Sequence, residues 1–371
     1  MKPAGETQER KERKEREREN SRVFSSLIAS TVLWLISWFL LRVFASSRFN
    51  SRIDPPIQGL AARIRAGERG ALARGISLVE AGDTRGRELA ALLYHDGGAA
   101  HTVGITGPPG AGKSTLTDAL TRAYRQRGER VAVLAIDPVS PLTGGATLGD
   151  RTRMMAAASD TGVFIRSSAA RGHDSGLGFT AVQVMRLMAA AGYGRVLVET
   201  VGTGQDGVSV ASVAATVLLV QTPGTGDEVQ ALKAGVLEIA DVFVVNKAET
   251  PGADALMYDL RDVAHATGTR GDWTPPVLPT TAISGEGVPA VLDAIEAHRA
   301  HLDASGEGEA RRAARLLAEV RALVRHDVLT AMDAYLRDAA VTDRVHQALA
   351  MSDEDPLAVA HALFMQWKRG E

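Results

Sequence analysis

A glycine-rich segment at residues 101–115, HTVGITGPPGAGKST, holds the residues whose spacing most clearly indicates chemistry. Gly107, four intervening residues, then Gly112, Lys113 and Ser114 complete the pattern G-x-x-x-x-G-K-[ST] of a phosphate-binding loop. Glycines let backbone N–H groups face a phosphate, and a following helix adds the partial positive charge of its N-terminus. The segment therefore predicts a nucleoside triphosphate site formed by consecutive residues: Gly107, Pro108, Pro109, Gly110, Ala111, Gly112, Lys113, Ser114 and Thr115.

Carboxylates at three later positions are candidate partners of that loop. Glu199 begins the segment Glu-Thr-Val-Gly at the end of the run RVLVE, where GTPases place a D-x-x-G that senses the γ-phosphate. Asp137 ends the run RVAVLAID, and Asp150 lies in the glycine-rich segment LTGGATLGDRTRM. Magnesium prefers a sparse set of oxygen ligands and keeps several waters. We therefore expect Lys113 to act on the phosphates, and Ser114 and the three acids to form the magnesium site.

A second loop predicts which base is bound. Asn246, Lys247 and Glu249 follow the run DVFVV and approximate the N-K-x-D loop that binds guanine. A carboxylate in the plane of guanine accepts from both N1–H and the exocyclic amine, whereas adenine offers no such pair of donors. Further on, Thr281 and Ala282 fall where GTPases place a turn whose backbone N–H meets guanine O6. Together these residues favour GTP and GDP over ATP.

These loops follow apolar runs that alternate with helical segments. Continuous apolar runs, as opposed to alternating ones, are typical of strands buried on both faces. The predicted fold class is therefore α/β, with a doubly wound, mainly parallel sheet and ligands at the carboxyl ends of its strands. The predicted strands cover residues 103–106, 130–137, 163–167, 195–200, 215–222 and 241–247.

Helical periodicity predicts appendages on both sides of this domain. Leu60 and Ile64, then Leu72, Ile76 and Val79, recur at helical spacing and predict N-terminal helices that cover one edge of the nucleotide domain. Beyond residue 288 the chain is helical, and one long segment carries a single apolar stripe that predicts a helical subdomain or a dimer interface. The stripe comprises Leu317, Val320, Val324, Val328, Ala331 and Tyr335. We divide the chain into a leading segment 1–56, a helical segment 57–100, a nucleotide domain 101–303 and a helical region 304–371.

The composition limits the remaining functions. Lys and Arg number 42 against 44 Asp and Glu, so the chain lacks the basic excess typical of nucleic-acid binding. It contains no cysteine, which excludes disulfides, thiolate metal sites and thiol nucleophiles. We expect a cytoplasmic protein, tethered to the inner membrane if its N-terminal segment is translated and inserted.

That N-terminal segment has three interpretations. Residues 1–22 alternate basic residues with Glu, and residues 23–41 carry no charge over a length close to the ~20 residues that span a bilayer. A membrane anchor is the first interpretation. A cleaved signal peptide is disfavoured, because the charged region is long and rich in Glu and no A-x-A site follows. In the third interpretation, translation begins downstream.

The order and spacing of GITGPPGAGKST, IDPVSPLTGGATLGDRTRM, ETVGTGQ and VVNKAE resemble the methylmalonyl-CoA mutase-associated GTPase family, within the wider group of metallochaperone-type GTPases. The resemblance runs from Leu60 to the C-terminus. It implies a homodimeric GTPase that docks on an adenosylcobalamin-dependent mutase, gates cofactor loading and protects the mutase. It also implies a mobile switch loop at residues 222–233 and a dimerisation arm in the C-terminal helices.

Two departures from the family pattern and two alternative functions stay open. Glu249 stands where the family has Asp, and Asp206-Gly207 follows Gln205 where a Ser-Glu pair is usual. One alternative is a nucleotide-dependent kinase or ATPase of a lysine, arginine or ornithine transport system. The other is a metal-insertion GTPase, which the lack of a Cys/His cluster disfavours.

Overall fold

A seven-stranded parallel sheet forms the centre of the fold. The computed structural model describes residues 54–137, 159–169, 179–200, 210–224, 237–266, 272–351 and 355–369. The strands are β1 (His101–Thr106), β2 (Val131–Asp137), β3 (Val163–Ala169), β4 (Arg195–Thr200), β5 (Thr216–Gln221), β6 (Val242–Asn246) and β7 (Val277–Thr280). Their spatial order is β3-β2-β4-β1-β5-β6-β7, and all neighbours pair in parallel. The predicted α/β class with a doubly wound parallel sheet is confirmed.

Helices cover both faces of this sheet and continue beyond it at both ends of the described chain. The α-helices are α1 (Pro55–Arg65), α2 (Arg69–Ala81), α3 (Thr84–Leu92), α4 (Lys113–Gln126), α5 (Phe179–Ala190), α6 (Ala253–Ala266), α7 (Val288–Ser305), α8 (Glu307–Leu336), α9 (Ala339–Met351) and α10 (Pro356–Arg369). Short 3₁₀ turns occupy Asp96–Ala99 and Leu237–Ile239.

The apolar runs form strands because burial on both faces favours a continuous hydrophobic sequence. Every residue of β4, β5 and β6 is buried. On one face the strands pack with Leu120 of α4 and Ile295 of α7. On the other face Phe243 packs with Leu256 and Leu260 of α6. The core thus fixes the carboxyl ends of β1, β4, β5 and β6 along one edge of the sheet.

Strand β7 was not among the predicted strands. It has only four residues, Leu278 is partly exposed and Pro279 is exposed, so the continuous apolar signal is absent. Parallel pairing with β6 nevertheless forms it, with Asn246 opposite Thr280. This pairing brings the turn after β7 beside the loop that follows β6.

Among the N-terminal helices, α2 contacts the β3 edge of the sheet. Arg69 at the start of α2 donates to the carbonyl oxygens of Asp160, at 3.2 Å, and of Val163. Glu80 at the end of α2 forms an ion pair with Arg166 of β3. These polar contacts attach α2 to the strand that has no further neighbour in the described sheet.

Helix α8 leaves the sheet and exposes its apolar stripe. None of its residues is buried, and Leu317, Val320 and Val324 are 51%, 52% and 44% exposed. Two of the domain boundaries that we drew fall inside helices: residue 57 lies in α1 and residue 304 lies in α7. The described residues from Pro55 onward belong to one compact unit.

A buried polar chain crosses the amino edge of the sheet, opposite the phosphate loop. His101 Nε2 lies 2.9 Å from Thr216 Oγ1, which lies 2.8 Å from His298 Nδ1. His298 Nε2 lies 3.3 Å from Asp241 Oδ1, and Arg311 of α8 donates to the same oxygen at 2.9 Å. This series of polar contacts therefore connects β1, β5, α7 and α8, in addition to the packing of the apolar core.

Several predictions concern residues outside the described ranges. They include residues 1–53, Asp150, Gln205 and most of the predicted switch loop at 222–233. Among the helices that the structure describes, none has the length and apolar character needed to cross a bilayer.

Candidate functional site

The phosphate loop connects β1 to α4 through glycines in conformations that other residues disfavour. Gly107 has φ 144° and Gly112 has φ 85°, and α4 begins at Lys113. A Cβ atom on Gly107 would lie 2.1 Å from the Val220 carbonyl oxygen, and one on Gly112 would lie 2.3 Å from Asn246 Nδ2. Backbone conformation and close approach both require glycine here. The loop curls at the N-terminus of α4, which is the geometry that binds phosphate.

The Lys113 side chain folds back over this loop. Its Nζ donates to the carbonyl oxygens of Gly107, at 3.0 Å, and Pro108, at 2.9 Å, and the residue is 8% exposed. The two carbonyl groups hold the ammonium group against the loop whose backbone is shaped for phosphate. Pro109 and Gly110 form the exposed tip of the loop, and Ala111 is buried beneath it.

Ser114 and Glu199 meet beside the phosphate loop. The Ser114 hydroxyl donates to Glu199 Oε1 at 2.5 Å, although 85 residues separate them in the chain. Parallel pairing creates this contact, because Glu199 on β4 lies opposite Ile105 on β1. Glu199 is 7% exposed, so its carboxylate lies at a largely desolvated position.

The other two predicted magnesium ligands have different outcomes. Asp137 is the last residue of β2, where its backbone pairs with Ala169 of β3, and its neighbour Ile136 pairs with Thr200 of β4. Asp137 therefore lies at the same edge of the sheet as Glu199. Asp150 lies outside the described residues. Thr115, the last residue of the predicted phosphate segment, lies partly exposed in the first turn of α4.

Asn246 connects the phosphate loop to the predicted base-binding loops. Its Nδ2 donates to the Ala111 carbonyl at 2.8 Å, and its Oδ1 accepts from the backbone N–H of Ala282 at 3.1 Å. The same oxygen accepts from the Thr280 hydroxyl at 3.3 Å. The side chain is 3% exposed, so these hydrogen bonds satisfy an amide that would otherwise be costly to bury.

Glu249 faces the turn after β7. Its Oε2 accepts from the Thr281 hydroxyl at 2.8 Å. The pKa of the Glu249 carboxyl is held below its ordinary range, first by a hydrogen bond from its own backbone N–H and then by the Thr281 hydroxyl. Its neighbour Lys247 has φ 57°, the one positive φ of a non-glycine residue among the described positions. The loop thus presents an ionised carboxylate beside an unusual backbone conformation.

Thr280 belongs to this site although the sequence analysis did not select it. It ends β7 and holds Asn246 through its hydroxyl, and its carbonyl accepts from the backbone N–H of Ala248 at 3.0 Å. Its position directly before the Thr281 turn was the available signal. Because β7 was not predicted, this position did not identify Thr280 as the end of a strand beside Asn246.

The loops at the carboxyl ends of β1, β4, β6 and β7 therefore lie together on one edge, where open α/β sheets bind ligands. Three features together define the class of P-loop GTPases. They are a phosphate loop at the N-terminus of a helix, an acid that contacts the serine of that loop, and a loop whose carboxylate is placed to bind a base.

Comparisons with known proteins agree with that class. A family model described as the methylmalonyl-CoA mutase-associated GTPase MeaB matches residues 72–336. A relative from Pyrococcus abyssi is 41% identical over 313 residues, which cover 84% of this chain and 96% of the relative. The GTPase ArgK of Escherichia coli is 38% identical over 255 residues, 66% of this chain and 76% of ArgK.

A solved structure extends the agreement to the fold. The crystal structure of a LAO/AO transport system kinase is 27% identical and covers 85% of this chain and all of its own, with a TM-score of 0.64. The chain belongs to the methylmalonyl-CoA mutase-associated GTPase family, and it is a GTPase that binds guanine nucleotide.

Proposed function

We propose that this GTPase is a nucleotide-controlled chaperone of an adenosylcobalamin-dependent mutase of the methylmalonyl-CoA type. The family description links its members to that mutase by name. The observation that carries the proposal is the Asn246 connection, because its side chain joins the phosphate loop to the predicted base-binding turn by hydrogen bonds. Through this connection, a change at the phosphate loop would reach the predicted base-binding turn, and a switch protein depends on such coupled loops.

We further propose that Ser114 and Glu199, with Asp137 and Asp150, form a Mg²⁺ site. The Ser114 and Glu199 oxygens lie within hydrogen-bond distance at the N-terminus of α4, and hard oxygen donors suit this ion. Bound magnesium would neutralise charge that develops on the β and γ phosphates. Glu199 would then hold the Ser114 hydroxyl and the water shell in place.

Lys113 and the loop supply the remaining charge stabilisation. The Lys113 ammonium, held by the Gly107 and Pro108 carbonyls, would reach the β and γ oxygens from the loop side. Backbone N–H groups at the start of α4 would contact the same oxygens. Phosphoryl transfer to water needs little covalent chemistry from the protein, so positioning and charge account for most of the catalysis.

The partner would respond to loops at this edge. We propose residues 222–233 as the switch, ordered by the γ-phosphate and released after hydrolysis. Thr222 begins this segment and is buried at the end of β5, directly beside β1 and β6. The departure at Asp206-Gly207 places a different charge pattern near Gln205 and would alter how tightly this chain couples to its mutase.

The second observation concerns the C-terminal helices. Leu317, Val320 and Val324 on α8 and Phe364 on α10 are large apolar side chains that are 44–52% exposed. Exposed apolar residues at helical spacing favour a second copy of the chain as their cover. We propose that these helices form the homodimer arm.

A specific observation favours the alternative that this protein is a kinase. The solved structure that matches with a TM-score of 0.64 is named a LAO/AO transport system kinase, and a kinase transfers its phosphoryl group to an acceptor other than water. With GTP labelled at the γ position, release of labelled inorganic phosphate without labelled protein supports the chaperone proposal. Transfer of label to a protein acceptor would support the kinase.

We also propose a cytoplasmic location, and an anchor at residues 23–41 stays a prediction. The full chain should sediment with membranes and resist a high-salt wash if the anchor is inserted. Recovery in the supernatant, with a mature N-terminus near residue 57, would contradict an anchor.

The mutase proposal is tested by binding. The full chain, loaded with GDP or with a non-hydrolysable GTP analogue, is titrated with purified adenosylcobalamin-dependent methylmalonyl-CoA mutase. We expect binding whose affinity differs by at least about tenfold between the two nucleotides, because the switch loop changes with the γ-phosphate. Absence of binding in both states would contradict the proposal, and equal affinities would remove the switch.

A further inference from the structure

A cavity lies at the amino edge of the sheet, opposite the nucleotide site. Its volume is about 260 Å³, and it is lined by α5, by α8, by residues between Tyr94 and Ala100 and by the segment before β5. Thr102 near the start of β1 lies in its wall, whereas the phosphate loop follows the other end of the same strand. The cavity is therefore separate from the site described above.

The lining of this cavity carries excess positive charge. Its acidic member among the described residues is Glu319, and Arg186 binds both oxygens of that carboxylate, at 2.5 and 2.6 Å. The guanidinium of Arg186 also stacks over the Tyr94 ring, 4.4 Å from its centroid. These contacts neutralise Glu319 and fix Arg186 in the wall. Arg312 and Arg315 are the other cations of the lining.

Arg315 lines this cavity, and few groups around it balance its positive charge or accept from its N–H donors. Its Nη1 donates to the Ala214 carbonyl at 3.3 Å, while a guanidinium carries five N–H donors. Burial lowers the pKa of Arg315, and the positive charges of Arg311 and Arg312 lower it further. Asp241 acts in the opposite direction as the weakest of these influences. Arg315 is half-buried, and the described residues supply no carboxylate in contact with it, which makes it a candidate for binding an anion.

The remaining walls complete a small-molecule site. Val182, Met185, Ala189, Val213 and Leu316 supply apolar surface around the charged groups. A concave cavity with apolar walls and a few convergent polar groups is the usual form of a small-molecule site.

We propose that this cavity binds a small anion with a phosphate or carboxylate group, held by Arg315 and Arg312. Guanidinium groups match the geometry of both anions, because their N–H donors form paired hydrogen bonds with two oxygens. An occupant would contact β1 and α8 together, and so would join the sheet to the C-terminal helices. The inference is independent of the proposed chaperone function.

The apolar stripe of α8 leaves this cavity accessible in the proposed dimer. At about 100° per residue, Leu317, Val320 and Val324 lie on a face roughly 140° from Arg312 and Arg315. The two faces of α8 therefore serve different contacts. Arg325 lies away from both, is exposed, and provides a matched control.

The test uses the full chain saturated with Mg²⁺ and a non-hydrolysable GTP analogue, so that the phosphate loop is occupied. Inorganic phosphate and succinate are titrated separately by calorimetry at low salt. We expect saturable binding of at least one, and the stronger of the two identifies the chemical source. Arg315→Gln and Arg312→Gln should each weaken that binding by at least about tenfold. Arg325→Gln should leave it unchanged.

Two outcomes would overturn the proposal. The first is no saturable binding of either anion to the unaltered chain. The second is equal binding by the Arg315→Gln variant with a lower free energy of unfolding, which would make Arg315 a structural contact for the Ala214 carbonyl. Unchanged affinity for the GTP analogue in each variant serves as the check that the fold is intact.

Discussion

At the scale of single residues, Asn246 determines how the nucleotide site holds together. Its amide contacts the phosphate loop through Ala111 and the base-binding turn through Ala282. Glu249 completes the turn by accepting from Thr281, which holds the carboxylate at a defined place. Glu has one methylene more than the Asp usual in the family, and the neighbouring Thr281 hydroxyl thus holds the end of this longer side chain in place.

Replacing Glu249 tests its role in binding guanine. Glu249→Gln should weaken GDP binding by about 10- to 100-fold, because hydrogen bonds to a charged acceptor contribute roughly 1.5–3 kcal/mol. Glu249→Asp should tighten it by restoring the shorter reach. Calorimetry with GDP measures both, and Glu286→Gln, an exposed acid in the same turn, is the control. Wild-type affinity in Glu249→Gln would show that the carboxylate does not contact the base.

At the scale of secondary-structure elements, the amino edge is held by polar contacts between distant segments. His101, Thr216 and His298 come from β1, β5 and α7, and they meet Asp241, the residue before β6, in the interior. Arg311 extends this chain to α8. The long helix is therefore attached to the sheet by an ion pair between the buried Asp241 carboxylate and the half-buried Arg311 guanidinium.

The buried histidine makes stability depend on pH. Burial, followed by the charge of Arg195, lowers the pKa of His101 from 6.5 to about 3. Between these values the unfolded chain takes up a proton that the folded chain does not, so the free energy of unfolding falls as pH falls. One such group contributes a slope of up to about 1.4 kcal/mol per pH unit.

Denaturant unfolding of wild type and His101→Gln between pH 6 and 4 checks this expectation. The variant should show the shallower pH dependence, because it lacks the group that is protonated on unfolding. His346→Gln, at an exposed position of α9, should follow the wild-type slope. Parallel curves for wild type and His101→Gln would contradict the assignment of the pH dependence to His101.

The sequence predicted the parts of this structure that carry a local signal. The phosphate loop and strands such as β4 and β5 could be found because glycine spacing and continuous apolar runs are local properties. Strand β7 could not, since pairing with β6 forms it in spite of Pro279. The Arg315 cavity and the His101 chain also lacked a signal, because their members are far apart in sequence and match no pattern.

At the scale of the whole molecule, the sheet separates two kinds of site. The carboxyl edge carries the nucleotide loops, and the amino edge carries the polar chain, the cation-lined cavity and the base of α8. Since α8 contacts the amino edge on one face and exposes apolar residues on another, a partner on α8 would be connected to the sheet through Arg311 and Arg315.

The exposed stripe predicts the assembly. The combined substitution Leu317→Glu and Val320→Glu should convert the proposed dimer into a monomer of 39.2 kDa, because each change places a charge in an apolar contact. Light scattering after size-exclusion chromatography measures the mass, with Arg325→Glu as the control on the same helix. A mass of one chain for the unaltered protein would contradict the dimer.

The central claim is that the carboxyl edge of this sheet is a guanine-specific nucleotide site. Calorimetric titration of the full chain with GDP and with ADP, each with Mg²⁺, tests it most directly. We expect GDP to bind at least about a hundredfold more tightly, because Glu249 and the Ala282 turn pair with groups that adenine lacks. Comparable affinities for GDP and ADP would contradict it.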